Sequence, residues 1–163
     1  MDTRLDLSQR GDMSGAAKKT ADPKFSEGPL LLYLIKHVQL KSSMRLGAAL
    51  EPYGVTAVQF RVLAEIDHHS HLSSAELSRL FDVRPQTMNK QIAQLEGLGL
   101  IKRIVSPENR RVLEMSLTRA GRRTLRDCSE EALKLEKLLF RSFSKQQRDE
   151  FRASLFRLLR NMD

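Results

Sequence analysis

Apolar positions first recur with helical spacing at Pro29, from where Leu31, Leu34, Ile35 and Val38 share one face up to the Pro52-Tyr53-Gly54 turn. Thr56-Ala57-Val58-Gln59 then reads as a capping box, with the hydroxyl of Thr56 accepting from a first-turn amide and Gln59 reaching back. Phe60, Leu63 and Ile66 follow at helical spacing and predict a second helix. A polar loop from Asp67 to Leu72 leads to a second box, Ser73-Ser74-Ala75-Glu76, and a short third helix carrying Leu77, Leu80 and Phe81. Pro85, with its fixed backbone angle, suits the first position of a fourth helix, in which Met88, Ile92, Leu95 and Leu98 make the buried stripe and Gly97 or Gly99 ends it.

The period then changes. Leu100 to Val105 and Val112 to Thr118 are β-prone runs separated by the polar stretch Ser106-Pro107-Glu108-Asn109-Arg110-Arg111, which predicts a two-stranded hairpin. Leu113, Met115 and Leu117 alternate with Glu114 and Ser116, as in a strand with one wet face. Thr118 caps a long helix whose Leu125, Cys128, Ala132, Leu135 and Leu139 follow a 3, 4, 3, 4 rhythm, and Ser144-Lys145-Gln146-Gln147 caps a last helix bearing Phe151, Leu155, Leu158 and Met162. The expected fold is therefore mainly α with a small two-stranded β wing, a winged helix-turn-helix dimerised through N- and C-terminal helices. Its head covers about 56–118, its dimerisation helices about 29–51 and 119–162, and residues 1–26, poor in large apolar groups, form a mobile tail ahead of a domain at 27–163. A basic arm lying along DNA is the functional alternative for that tail, although its cations are offset by Asp2, Asp6, Asp12 and Asp22.

Composition narrows the function. The 163 residues carry 28 Lys+Arg against 20 Asp+Glu, a net +8, which favours a polyanionic partner. Between Arg84 and Arg126 ten basic residues face three acidic ones, a net +7, so nearly all the excess belongs to the helix-turn-helix, the wing and the start of the helix after it. One cysteine, Cys128, excludes an intramolecular disulfide and a Cys-based zinc site and suits a reducing cytoplasm. The apolar run Leu30 to Ile35 stops at Lys36, too short for a membrane span, and the first residues lack the order of a signal peptide, so a soluble cytoplasmic protein with no membrane partner is expected. No paired-carboxylate, Ser-His-Asp, Cys-His or Gly-rich phosphate constellation stands out, so neither enzymatic activity nor a cofactor is expected.

In a helix-turn-helix the second helix of the pair enters the major groove. From Val83 to Leu95 there is no Asp or Glu, and the face away from the apolar stripe offers Arg84, Gln86, Thr87, Asn89, Lys90, Gln91 and Gln94, hydrogen-bonding groups without carboxylates that phosphates would repel. Gln86, Thr87, Asn89, Lys90 and Gln94 are candidates for DNA readout. Arg84, Arg103, Arg110 and Arg111 are candidates for phosphate or minor-groove contacts, Lys102 and Arg103 lying at the hairpin base and Arg110 and Arg111 near its tip. Leu31, Leu34, Leu125, Leu135, Leu139, Phe151, Leu155 and Leu158 are candidates for a dimer interface, because long terminal helices flank a complete small head. The rival from another class is a sequence-indifferent architectural DNA-binding protein, which would use the same basic surface without a defined operator.

Several segments in this order resemble the MarR family of regulators over residues 28 to 162: Thr56-Ala57-Val58-Gln59-Phe60-Arg61-Val62-Leu63, Ser74-Ala75-Glu76-Leu77, Pro85-Gln86-Thr87-Met88, Leu95-Glu96-Gly97-Leu98-Gly99-Leu100-Ile101-Lys102-Arg103 and Ser116-Leu117-Thr118-Arg119-Ala120-Gly121. The resemblance implies a triangular homodimer that binds a near-palindromic double-stranded operator, usually as a repressor, and that responds to ligands, often small aromatic or phenolic molecules. Two departures matter. Where the family's wing usually has Asp-x-Arg, this chain has Asn109-Arg110-Arg111, so Arg111 loses an ionic partner, and Arg84 stands in place of the small capping residue before Pro85.

Two sensing alternatives remain open. His68-His69-x-His71 offers imidazoles to a metal, as in a metal-sensing regulator, although adjacent histidines rarely converge on one ion and Asp67 is the only carboxylate near in sequence. Some relatives sense peroxides through a cysteine near the first helix, whereas Cys128 occupies an apolar seam, where a thiol is usually inert packing.

Overall fold

A computed structural model describes residues 29–69, 72–106 and 109–162. Its elements are α1 (Leu31–Leu50), a 3-10 turn (Glu51–Tyr53), α2 (Ala57–His68), α3 (Ser74–Leu80), α4 (Pro85–Gly97), β1 (Ile101–Val105), β2 (Leu113–Leu117), α5 (Arg119–Leu139) and α6 (Lys145–Arg160). The expected tail at 1–26 lies outside the described residues. The described residues divide into two units, 29–37 and 38–162. In the first, residues 29–37 open α1, with the Tyr33 and His37 rings stacked 5.7 Å apart and Leu31, Leu32 and Leu34 exposed.

In the second unit, side chains set the helix ends. Thr56 accepts from the amide of Gln59 at 3.2 Å while the amide of Thr56 donates to Gln59 Oε1 at 2.9 Å, a reciprocal box opening α2. Ser73 and Glu76 repeat it for α3, and Ser144 and Gln147 for α6. Each such cap satisfies amides that have no partner within the helix and contributes about 1 kcal/mol. Gly99, at φ 69°, closes α4: the amide of Leu100 donates to Leu95 O at 3.0 Å and that of Gly99 to Glu96 O at 2.9 Å. Leu98, expected in the apolar stripe, is half exposed because the helix has already ended at Gly97.

Met88, Ile92 and Leu95 of α4 are buried with Val62, Leu63 and Ile66 of α2, Leu77 of α3, Met115 and Leu117 of β2 and Leu125 and Cys128 of α5. This places the core behind α4, so the opposite face of that helix is left to solvent. Truncating a side chain such as Leu95 to alanine in a core of this kind costs about 2–5 kcal/mol.

The two strands pair antiparallel, with Ile101 opposite Leu117, Arg103 opposite Met115 and Val105 opposite Leu113. The expected wet face of β2 is not wet at Glu114, which is buried, whereas Leu113 is exposed. The cause is a third segment of extended chain: the amide of Met115 donates to Leu72 O at 2.8 Å, and Ser73 bridges to Glu114. Residues leading into α3 thus cover β2. At the base of the hairpin the hydroxyl of Thr118 donates to Gly99 O at 2.7 Å and accepts from the amide of Gly121 at 3.0 Å. A Cβ on Gly121 would collide with the carbonyl of Leu100, so only glycine lets α5 sit this close to the end of α4.

Candidate nucleic-acid interface

Four residues join α3 to α4. The amide of Val83 donates to Ser78 O and that of Asp82 to Arg79 O, both at 3.1 Å, so α3 ends in a Schellman motif with Asp82 in the left-handed region at φ 49°. Aspartate is one of the few non-glycine residues that tolerates this conformation. The turn tilts the chain directly into Arg84 and Pro85.

Arg84 occupies the N-cap of α4 with extended backbone and no side-chain cap bond, and its carbonyl accepts from the amide of Thr87 at 2.9 Å. Its guanidinium is thus uncommitted to the helix end, which is the exchange of cap for charge that the sequence suggests. Gln86, Thr87, Asn89 and Lys90 are exposed on the first turns of α4, while Met88 between them is buried. The backbone carrying the four polar groups is therefore fixed by the core beneath it. Gln94, further along the helix, has another commitment: its Oε1 accepts from Gln59 Nε2 at 3.1 Å, which ties down one side of its amide while the nitrogen can still donate outward. The sequence shows Gln59 only as a cap. Its burial was the missing information, since a buried amide must use both ends.

The wing holds its cations in two ways. Arg103 Nε lies 3.4 Å from Glu96 Oε2, with both side chains well exposed, so this base-of-wing cation is partly neutralised by the last turn of α4. At the tip, Asn109 organises the turn: its Oδ1 accepts from the amide of Arg111 at 3.0 Å, its amide donates to Ser106 Oγ at 3.3 Å and its carbonyl accepts from the amide of Val112 at 2.8 Å. Asparagine thus keeps the turn-forming acceptor of the usual aspartate while Arg110 and Arg111 stay exposed.

The profile of the MarR family matches residues 53–112, which run from the 3-10 turn to the far side of the wing. An HTH-type transcriptional repressor of Mycobacterium tuberculosis is 38% identical over 90 residues, 55% of this chain and 65% of that protein, so the match spans a little under two thirds of that relative's length. The multiple antibiotic resistance protein MarR of Salmonella typhimurium is 30% identical over 111 residues, covering 68% of this chain and 76% of that protein. The chain belongs to the MarR family. A crystal structure of MarR superposes with a TM-score of 0.74 at 28% identity, over 84% of this chain and 92% of that one. MarR-family proteins are transcriptional regulators rather than enzymes.

The candidates for a dimer interface divide. Leu34, Leu139, Phe151, Leu155 and Leu158 are exposed, as is Leu31, and Leu135 is half-buried. Leu125 packs inside the core of its own chain, because the first half of the α5 seam lies against α2 and β2. Within the single chain it is already only 8% exposed. Phe140, Phe143 and Phe151 form an aromatic cluster at the α5 to α6 connection, with centroids 5.4 to 6.5 Å apart.

His68 and His69 pack edge to face at 4.7 Å, and His69 Nε2 lies 3.5 Å from Glu65 Oε2. His71 lies outside the described residues, and among those described no three His, Cys, Asp or Glu side chains gather to hold a metal. Glu65, one turn back on the same helix, is the nearby acid that counting along the loop overlooked. Cys128 is fully buried, and burial pushes its thiol from 9.0 to about 11, with Asp127 and Glu131 adding to the shift. A thiol held protonated in this way is a poor nucleophile. Among the described residues no helix is long and apolar enough to cross a membrane.

Proposed function

We propose that this MarR-family chain is a cytoplasmic transcriptional repressor that binds a near-palindromic DNA operator as a homodimer. α4 enters the major groove, with Gln86, Thr87, Asn89 and Lys90 reading base edges, while Arg84, Arg103, Arg110 and Arg111 engage phosphates and the minor groove. The observation that carries this reading is the surface of α4: an exposed row of neutral donors and acceptors plus one lysine, free of acids from Val83 to Leu95, on a helix pinned from behind by Met88, Ile92 and Leu95. Plain charge neutralisation would not require glutamine, threonine and asparagine there. Asparagine and glutamine can pair bidentately with adenine and lysine with guanine.

Dimerisation draws support from apolar side chains that the single chain leaves in water, notably Phe151, Leu155, Leu158 and Leu159 on α6. A small aromatic or phenolic ligand that alters the spacing of the heads completes the regulatory reading.

Selection from a random duplex pool at about 0.15 M salt tests the proposal, because nonspecific contacts are already weakened there. Enrichment of an inverted repeat with half-sites about one helical turn apart is expected. Tight binding only at low salt, without enrichment, would replace the repressor with an architectural protein.

A further inference from the structure

The first two turns of α5 carry a row of arginines that neither the core nor the face of α4 uses. Arg119, Arg122, Arg123 and Arg126 recur at i, i+3, i+4 and i+7, so they share one side of the helix, opposite the side on which Gly121, Leu125 and Cys128 are buried. All four are exposed and together with Ala120 line an open cleft. Arg122 Nη1 donates to Leu117 O at 3.0 Å, and no ion pair joins any of them to a carboxylate among the described residues.

This arrangement works against the helix. The N-terminus of a helix is its positive pole, and like charges three and four residues apart repel, so guanidinium groups here lower the stability of the free chain. No acid stands in the first turn to offset them. Among the described residues no carboxylate offsets them, so the row is open to an anion from outside the chain. Its chemistry follows from the spacing: seven residues of helix extend about 10 Å, and a DNA strand presents a phosphate about every 3.4 Å along the duplex axis, so the row matches a run of phosphates better than one small anion. Its position agrees, because Thr118 and Gly121 fasten this turn to the base of the wing, next to the strands that bear Lys102 and Arg103.

We propose that the arginine face of α5 is a second phosphate track, which takes the sugar-phosphate backbone of the duplex read by α4. The proposal rests on the operator-binding reading above. Its test compares the salt dependence of binding by the wild-type protein with that of Arg119→Ala, Arg123→Ala, Arg126→Ala and the triple variant. The probe is the selected duplex extended by about one helical turn at each end, titrated from 50 to 200 mM salt. Each arginine that meets a phosphate should lower the slope of log K against log salt by about 0.9 per protomer, or about 1.8 per dimer. Base preference should be unchanged, Arg123→Lys/Arg126→Lys should keep the wild-type slope, and the free triple variant should melt no lower than wild type. An unchanged slope in the triple variant, with wild type binding its site, overturns the track and leaves the operator reading standing. A wild type that binds no duplex overturns both. A change of oligomeric state without a change of slope also overturns the track and assigns the face to a second copy of the chain.

Discussion

Gln59 Nε2 donates to Gln94 Oε1 across 3.1 Å while Gln59 Oε1 holds the amide of Thr56, so one buried side chain caps α2 and grips α4. Gln59→Ala should lower stability by about 1–2 kcal/mol, through the lost cap and the backbone amide of Thr56 left without its acceptor. Urea denaturation of the two proteins measures this. Gln59→Glu, which keeps the acceptor for Thr56 but offers no donor to Gln94, should lose less stability.

Base-reading and phosphate-holding residues should separate in binding assays. Asn89→Ala and Lys90→Ala should each lose roughly 1–3 kcal/mol on the selected site and little on duplexes altered at the base pair they contact. Arg110→Ala should weaken all duplexes alike and flatten the salt slope. Fluorescence anisotropy across a panel of single-base variants checks this, and equal losses on selected and random DNA for all three would remove the readout assignment.

Glu96 restrains a cation that the wing could present to DNA, since Arg103 Nε sits 3.4 Å from its carboxylate. Glu96→Gln should therefore raise affinity for any duplex by several-fold at low salt, an effect that fades as salt screens it. The exposed pair contributes little to folding, so the melting temperature should barely move.

Two glycine substitutions should have opposite signs. Gly121→Ala drives a methyl group into the carbonyl of Leu100 and should cost more than about 2 kcal/mol or prevent folding. Gly47→Ala, inside α1 with nothing near its added Cβ, should stabilise by about 0.5–1 kcal/mol. Thermal melts of both variants provide the comparison.

Burial holds the Cys128 thiol protonated up to about 11. In the folded chain the proton is retained where the unfolded chain has lost it, so this group's contribution to stability is constant below 9.0 and falls as pH rises from there through 11. Cys128→Ala should remove that alkaline loss, and native Cys128 should react with a maleimide only as fast as the core opens. Rapid labelling at neutral pH, or a DNA affinity that responds to peroxide in wild type but not in Cys128→Ala, would restore the redox reading.

Much of the fold was legible because it is written in local chemistry. Thr56 with Gln59, Ser73 with Glu76 and Ser144 with Gln147 announce helix starts by side chains that need only their own first turn, and all three boxes form. What escaped depends on segments distant in sequence. Glu114 alternates like a solvent-facing residue, yet Leu72 and Ser73 lie alongside it. Leu125 keeps the rhythm of an interface seam, yet α2 reaches it first, within the same chain. At the candidate site, the exposed polar face of α4 follows from periodicity. The ties of Gln94 to Gln59 and of Arg103 to Glu96 do not, because side-chain pairs across elements leave no period behind.

The hydroxyl of Thr118 on Gly99 and the backbone of Gly121 against Leu100 clamp both ends of the hairpin to a single point. The end of α4, the hairpin and the start of α5 therefore share one junction at the base of the wing. The set of α5 at that junction thus helps fix where the tip lies, with Arg110 and Arg111 on it, and Leu100 ties the end of α4 to the same point. Lengthening the loop between the strands would alter the reach of the wing and leave this junction intact, whereas any side chain added at position 121 would push it apart.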